Sequence, residues 1–297
     1  MNYRKLGTST LEISEIGFGC MSLAGSDEEN AMLLHKAIDH GINFFDTADL
    51  YNKGMNEVSV GKALKEKRKE IILATKVGNQ WREDGKWDWN PRKEYILKAV
   101  DESLRRLQTD CIDLYQLHGG TIEDLIDETL DAFEILKKQG KIRYYGISSI
   151  RPNVIREYIE RSSITSVMMQ YSLLDRRPEE YCLDLLKEKN IGVLVRGSLA
   201  QGLLVDKPSR EYLELPGDEV TKANRAVKKL SGHNRTTTQT TLRYVLHHPA
   251  VTSAVVGIRT YEQLVAAVGT AKTPVLSHQE IAELKESVRA TRYEQHR

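Results

Sequence analysis

Four titratable side chains close short apolar runs, and as a set they could move a proton. Asp46 ends INFFD, residues 42–46, and Tyr51 follows in the next loop. Lys76 ends IILATK, residues 71–76, and His118 ends CIDLYQLH, residues 111–118. Each alone has an ordinary reading: Asp46 as a turn former, Lys76 as a charge leaving a strand, His118 as a satisfied core histidine. Their chemistries are complementary. A free phenol ionises at about pH 10, too high for efficient proton transfer near neutrality. A neighbouring ammonium stabilises the phenolate, and a carboxylate keeps that ammonium charged and fixed. An imidazole can orient or polarise a carbonyl oxygen. Together they suit moving a proton on or off a carbonyl or alcohol oxygen.

Such residues need elements that bring them to one place. Eight apolar runs, too short for helices, recur along the chain: EIGFG (15–19), the three above, IRYYGIS (142–148), SVMMQY (166–171), IGVLVRG (191–197) and SAVVG (253–257). Amphipathic stretches separate them, with start signals. Ser26 with Glu29 forms a capping box, and Asn90-Pro91 reads as N-cap and first residue of a helix to Arg106. Thr121 with Asp124, Thr260 with Gln263 and Ser277 with Glu280 repeat the device. Strand–helix alternation of this kind predicts α/β architecture, a (β/α)8 TIM barrel in one domain spanning 1–297. An open dinucleotide-binding sheet would carry GxGxxG after its first strand, and GCMSLAG (19–25) does not match. YRKLGTSTLEIS predicts an N-terminal hairpin closing the barrel floor with GTST as its turn, and the last helix is extra to the barrel. The stretch 201–219 reads as a long functional or mobile loop. Barrel sites lie at the C-terminal strand ends, so all four residues should face one mouth.

Composition narrows the function classes. The 297 residues are 40% hydrophobic and 29% charged, and a net charge of +1 gives no field favouring nucleic acid or an anionic membrane. No apolar run reaches the ~18 residues of a membrane span, and MNYRKLG lacks the core of a signal peptide. Cys20, Cys111 and Cys182 have neither zinc nor disulfide-framework spacing, so no metal is expected and a reduced, cytoplasmic protein fits. Cys20 reads as a small core residue. No strong apolar stripe demands a partner, so a monomer or weak homo-oligomer acting on a small molecule is expected.

FDTADLY, ILATK, DLYQLH and GKIRYYGISS (140–149) together resemble segments of the aldo-keto reductase family, over nearly the whole chain. The resemblance implies that Tyr51 is the general acid for carbonyl reduction. Lys76 would depress its pKa, Asp46 would hold Lys76, and His118 would orient the substrate carbonyl. It also implies an NAD(P)H cofactor, usually NADPH. Carried over by position, Ser148 and Gln170 would bond the nicotinamide carboxamide and Tyr171 would stack on its ring. Ser149 stands where the family often has asparagine. RGSLAQGLL (196–204) resembles the segment usually written Ser-Pro-Leu-Ala, which places Arg196, Gly197, Ser198, Leu199 and Gly202 near the pyrophosphate. Here Gly197-Ser198 replaces Ser-Pro, and Arg196 is an added charge that could contact phosphate.

After SAVVG, ending at Gly257, Thr260 caps a new helix. Its free amides, with Arg259 beside them, suit a phosphate. This site is read as holding the adenosine 2′-phosphate, with Gln263 where relatives have arginine and Ala267 where many have asparagine. GNQWREDGKWDWNP (78–91) holds Trp81, Trp87 and Trp89, all three tryptophans. They could line a pocket for aromatic or apolar aldehydes or pack on one another. After His118, Gly119 and Gly120 leave room and mobility. Two further readings stay open: a cofactor-binding regulatory barrel with slow turnover, and a Schiff-base isomerase or aldolase using Lys76.

Overall fold

The computed structural model describes all 297 residues. Tyr3–Lys5 (β1) and Glu12–Ser14 (β2) pair antiparallel, closed by Leu6 N–H donating to Leu11 O at 2.8 Å. β3 (Ile16–Gly19), β4 (Phe44–Asp46) and β5 (Ile72–Val77) start the barrel. A second hairpin, β6 (Asn79–Trp81) with β7 (Trp87–Trp89), follows β5. The barrel continues with β8 (Ile112–Leu117), β9 (Ile142–Ser148), β10 (Ser166–Gln170), β11 (Gly192–Arg196) and β12 (Val251–Gly257). The eight barrel strands are parallel and close on themselves, β12 pairing with β3. This is the (β/α)8 TIM barrel, with the hairpin at its floor.

Helices α1 (Asp27–Asp39), α2 (Met55–Leu64), α3 (Lys93–Leu107), α4 (Ile126–Lys138), α5 (Pro152–Arg161) and α6 (Cys182–Glu188) alternate with the strands. Between β11 and β12 come two, α7 (Gly217–Lys229) and α8 (Thr237–Leu246). α9 (Tyr261–Gly269) completes the barrel, α10 (His278–Glu286) is the expected extra C-terminal helix, and one of the two helices between β11 and β12 is a second extra one. Ser26–Glu29 and Ser277–Glu280 are full capping boxes. A third, Thr236–Gln239, opens α8. Two starts are corrected. α3 begins after Arg92 rather than at Asn90-Pro91, because the Asn90 side chain caps Arg92 N while its own N–H closes on Gly78 O. Thr121–Asp124 forms a single turn, and α4 begins only at Ile126. No helix is long and apolar enough to cross a membrane.

Strand alternation explains how the barrel aims the site. Leu6, Leu11 and Ile13 of the hairpin plug the floor together with Phe44, Ala74, Leu114, Met168, Leu194 and Val255. Successive side chains of a strand point to opposite faces, so the residue two places on points into the barrel again, one layer higher. Those residues are Asp46, Lys76, Gln116, Gln170, Arg196 and Gly257. One apolar layer thus fixes the rotation of every strand and places a polar layer at the mouth.

Candidate active site

Lys76 is fully buried and surrounded by acceptors. Its Nζ donates to Asp46 Oδ2 at 2.6 Å, Thr47 O at 2.7 Å and Tyr51 Oη at 3.4 Å. An ammonium has three N–H groups and no lone pair, so this environment suits the charged form and satisfies it completely. Burial pulls the Lys76 pKa down, but Asp46 and Tyr51 outweigh it and hold the group above the usual lysine range. Asp46 is pushed up by its own burial, opposed by Lys76 and by Gln116. The ion pair dominates: with Oδ2 at 2.6 Å from Nζ, a proton on the carboxylate would leave a buried ammonium without its counter-charge.

The backbone after Tyr51 explains why the phenol reaches Lys76. Asn52 and Lys53 have φ of 48° and 55°, and Gly54 has 81°. Three successive left-handed residues reverse the chain sharply before α2. A non-glycine residue there costs of order 1–2 kcal/mol, a strain found where geometry serves a site. Because Tyr51 Oη accepts from Lys76, its own proton is free to point toward the cleft.

His118 follows β8, its N–H donating to Val77 O at 2.8 Å. Its ring meets that of Tyr51 edge-on, centroids 5.8 Å apart. Burial, then the charges of Lys76 and Arg196, pull its pKa down to about 3. The imidazole is therefore neutral at physiological pH. A further neighbour sits inside the apolar run that ends at His118. Gln116, fully buried, donates from Nε2 to Asp46 Oδ1 at 3.2 Å. Its signal was the i, i+2 relation to Leu114 and His118. Behind the site, Glu57 accepts from Thr75 Oγ1 and Arg106 Nε, at 2.6 and 2.7 Å. Asp49 lies beside it, and its carboxyl is pushed up to about 8 by burial and then by Glu57.

An open cleft of about 630 Å³ runs from Tyr51 and His118 past Ser148, Ser149 and Arg196. Gln170 Oε1 accepts from Arg196 Nη1 at 2.8 Å, so Arg196 stands at the reacting end of the cleft, not at a distant phosphate. Ser149 Oγ accepts from Arg151 N at 3.1 Å. Tyr171 is corrected: it is buried outside the barrel, its hydroxyl donates to Glu179 at 2.8 Å, and its ring packs near Tyr244. It cannot stack on a ring in the mouth. Ser198 is also buried, and Leu199 O accepts from Gly202 N at 2.8 Å in a tight turn. The loop beyond Gly202 is anchored rather than loose, since Leu203, Leu204, Tyr212 and Leu215 are buried.

On the neighbouring strands β11, β12 and β3, the ends carry Gly197, Gly257 and Gly19. A Cβ at Gly257 would lie 3.2 Å from Ser22 Oγ, and one at Gly197 3.2 Å from Gln170 Cγ. At both positions a neighbouring side chain fills the space a Cβ would take, so this arc of strand ends stays bare. Arg259 lies exposed at its outer end, before α9. Gln263 Oε1 accepts from Arg259 N at 2.9 Å, so that amide already has a partner. Ser148 lies at one end of this arc and the Arg259 guanidinium at the other, the kinds of donor a nicotinamide dinucleotide would need, while Gln170 Nε2 donates to Asp175 Oδ2 at 2.9 Å.

The tryptophans divide. Trp87 and Trp89 line the cleft. Trp81 does not; its ring lies 5.4 Å below Lys53 Nζ. The room beside Gly119 is filled rather than mobile: a Cβ there would lie 3.1 Å from the Trp89 ring.

Comparison with known proteins agrees with this geometry. The chain is 50% identical over 308 residues, spanning 100% of both chains, to the uncharacterized oxidoreductase YqkF of Bacillus subtilis. It is 38% identical over 212 residues to the Schizosaccharomyces pombe aldo-keto reductase yakc [NADP(+)], covering 68% of this chain and 62% of that protein. The holo form of aldo-keto reductase AKR11C1 from Bacillus halodurans superposes with a TM-score of 0.94 at 49% identity, covering 100% of this chain and 99% of that one. A model of the aldo/keto reductase family matches residues 15–289. With the barrel and the polar layer at its mouth, these matches establish that the chain belongs to the aldo/keto reductase family.

Proposed function

We propose that this chain, as one catalytic unit, is an NADPH-dependent reductase that converts aldehydes and ketones to alcohols with Tyr51 as the proton donor. The observation that carries the reading is the buried Lys76 ammonium, whose three N–H groups are taken by Asp46, Thr47 and Tyr51. When bound, NADPH supplies the hydride equivalent for the carbonyl carbon. Tyr51 gives its proton to the carbonyl oxygen, and the ammonium beside it stabilises the phenolate left behind. Asp46 keeps that ammonium charged, and Gln116 holds Asp46. The neutral His118 offers one ring N–H to the same oxygen and orients it.

Ser148, Ser149 and Gln170 would hold the carboxamide end of the cofactor, beside Arg196. Gly197, Ser198, Leu199, Gly202 and Gly257 would provide the backbone shelf. Arg259 would meet the 2′-phosphate, its backbone turn held by Gln263. The B. subtilis relative's name is consistent with redox chemistry and the yeast relative's with NADP(+). Three free cysteines fit a reducing cytoplasm.

The test is NADPH oxidation with an activated aromatic aldehyde, run beside Tyr51→Phe. Turnover in the wild type, lost in the variant while NADPH still binds, supports the reading. Tight NADPH binding with no turnover on any of a panel of aldehydes and ketones would instead favour a cofactor-sensing role. Arg259→Ala should weaken NADPH and leave NADH unchanged; equal effects on both would remove the 2′-phosphate assignment.

A further inference from the structure

We propose that Asp124 sets the width of the substrate cleft, by tying the Trp89 indole to the loop after His118 so that a flat apolar carbonyl compound meets a fixed wall. This rests on the reductase reading above. The Trp89 Nε1–H points between both carboxylate oxygens of Asp124, at 3.0 and 3.1 Å. The same carboxylate accepts from Thr121 N at 2.7 Å and from Thr121 Oγ1 at 3.1 Å. One carboxylate thus joins two segments, the β6–β7 hairpin and the chain immediately after the catalytic histidine. Bonds to an ionised acceptor are about twice as strong as neutral ones.

The indole is also seated from beneath. A Cβ at Gly78 would lie 2.6 Å from the Trp89 ring, and one at Gly119 3.1 Å, so both glycines are needed for the ring to lie where it does. Their φ values, 124° and 145°, independently disfavour a side chain. Asn79 Nδ2 donates to His118 O at 3.3 Å, and Arg151 Nη1 donates to Gly120 O at 2.5 Å, fixing the loop on its other sides. Trp87, by contrast, is half exposed. The cleft has one held aromatic wall and one free one. A held ring meets a flat partner without first losing rotamer freedom, which favours planar apolar substrates over small aliphatic ones. Asp124 never touches the substrate; it is a positioning residue.

The experiment compares naphthaldehyde with propanal at saturating NADPH, in the wild type, Asp124→Ala, Asp124→Asn and Trp89→Phe. Asp124→Ala and Trp89→Phe each break the same bond. Each should lower the naphthaldehyde-to-propanal ratio of kcat/KM about tenfold, mainly through KM, and the double variant should lower it no further. Asp124→Asn keeps an acceptor for the indole and should hold most of the wild-type ratio. An unchanged ratio in soluble, NADPH-binding Asp124→Ala overturns the proposal, as does an equal loss on both aldehydes. A wild type that reduces neither overturns the reductase reading and this assignment with it.

Discussion

His118 gives the sharpest physical prediction. Its pKa lies near 3 in the folded chain against 6.5 for an unperturbed imidazole, because burial and the nearby positive charges of Lys76 and Arg196 oppose protonation. Between those two values the unfolded chain binds a proton that the folded chain refuses. Stability then rises with pH across the window and is lost as pH falls through it. The slope for one group is about 1.4 kcal/mol per pH unit. His118→Gln removes the titration and keeps a polar side chain. The stability of the wild type minus that of the variant should therefore fall by about 1.4 kcal/mol between pH 5.5 and 4.5. Urea unfolding at these two pH values, on both proteins, measures it, since other titrations cancel in the difference. A difference that does not change with pH would mean that His118 protonates normally in the fold. The burial and the charges of Lys76 and Arg196 would then not set its protonation, and the claim that the fold keeps it neutral would be wrong. The kcat/KM profile should accordingly show no inflection near pH 6.5 that disappears in His118→Gln.

Gln116→Met keeps the volume but strands Asp46 Oδ1 without a donor. Losing a hydrogen bond to a buried charge costs about 1.5–3 kcal/mol, raising the Asp46 pKa further and loosening its hold on Lys76. We expect kcat to fall about tenfold or more with KM and NADPH affinity unchanged; a loss confined to KM would refute the role. Asp49, raised to about 8 in the fold from an ordinary 3.8, binds a proton there that the unfolded chain gives up. Its contribution to stability therefore falls as pH rises between those values, and Asp49→Asn should gain on the wild type by about 1.4 kcal/mol per unit across the window. Thermal denaturation of both proteins at pH 5 and 8 reads this out, and parallel pH dependence would contradict it.

Much of this architecture was legible in the chain. Eight apolar runs and their capping signals gave the barrel, since strand period and helix caps are local properties. Asp46, Lys76 and His118 stood out because each ends an apolar run. Gln116 did not, because an amide inside CIDLYQLH looks like a minor interruption until the inward parity of Leu114 is known. Tyr171 misled for the opposite reason. It follows Gln170 directly, and alternation sends adjacent side chains to opposite faces, so only one of the two could face the mouth. The β6–β7 hairpin carries no local strand signal, because its strands are three residues each and its tip is charged. Gly119 suggested freedom, whereas its missing side chain makes room for an indole that comes from 30 residues earlier in the chain, a distance no local pattern reports.

The wiring of Lys76 has a second meaning. A protein that gathers aldehydes risks covalent capture by them, since amines condense with carbonyls and thiolates are alkylated by electrophiles. At this mouth the nearest amine is buried, held protonated and engaged through all three of its hydrogens, leaving no lone pair to form an imine. The nearest thiol, Cys20, is sealed in the core, and burial and the adjacent Asp46 push its ionisation far above the physiological range. On the proposed reading, the arrangement that would prepare Tyr51 to give up a proton would also protect the site from poisoning by the compounds it reduces.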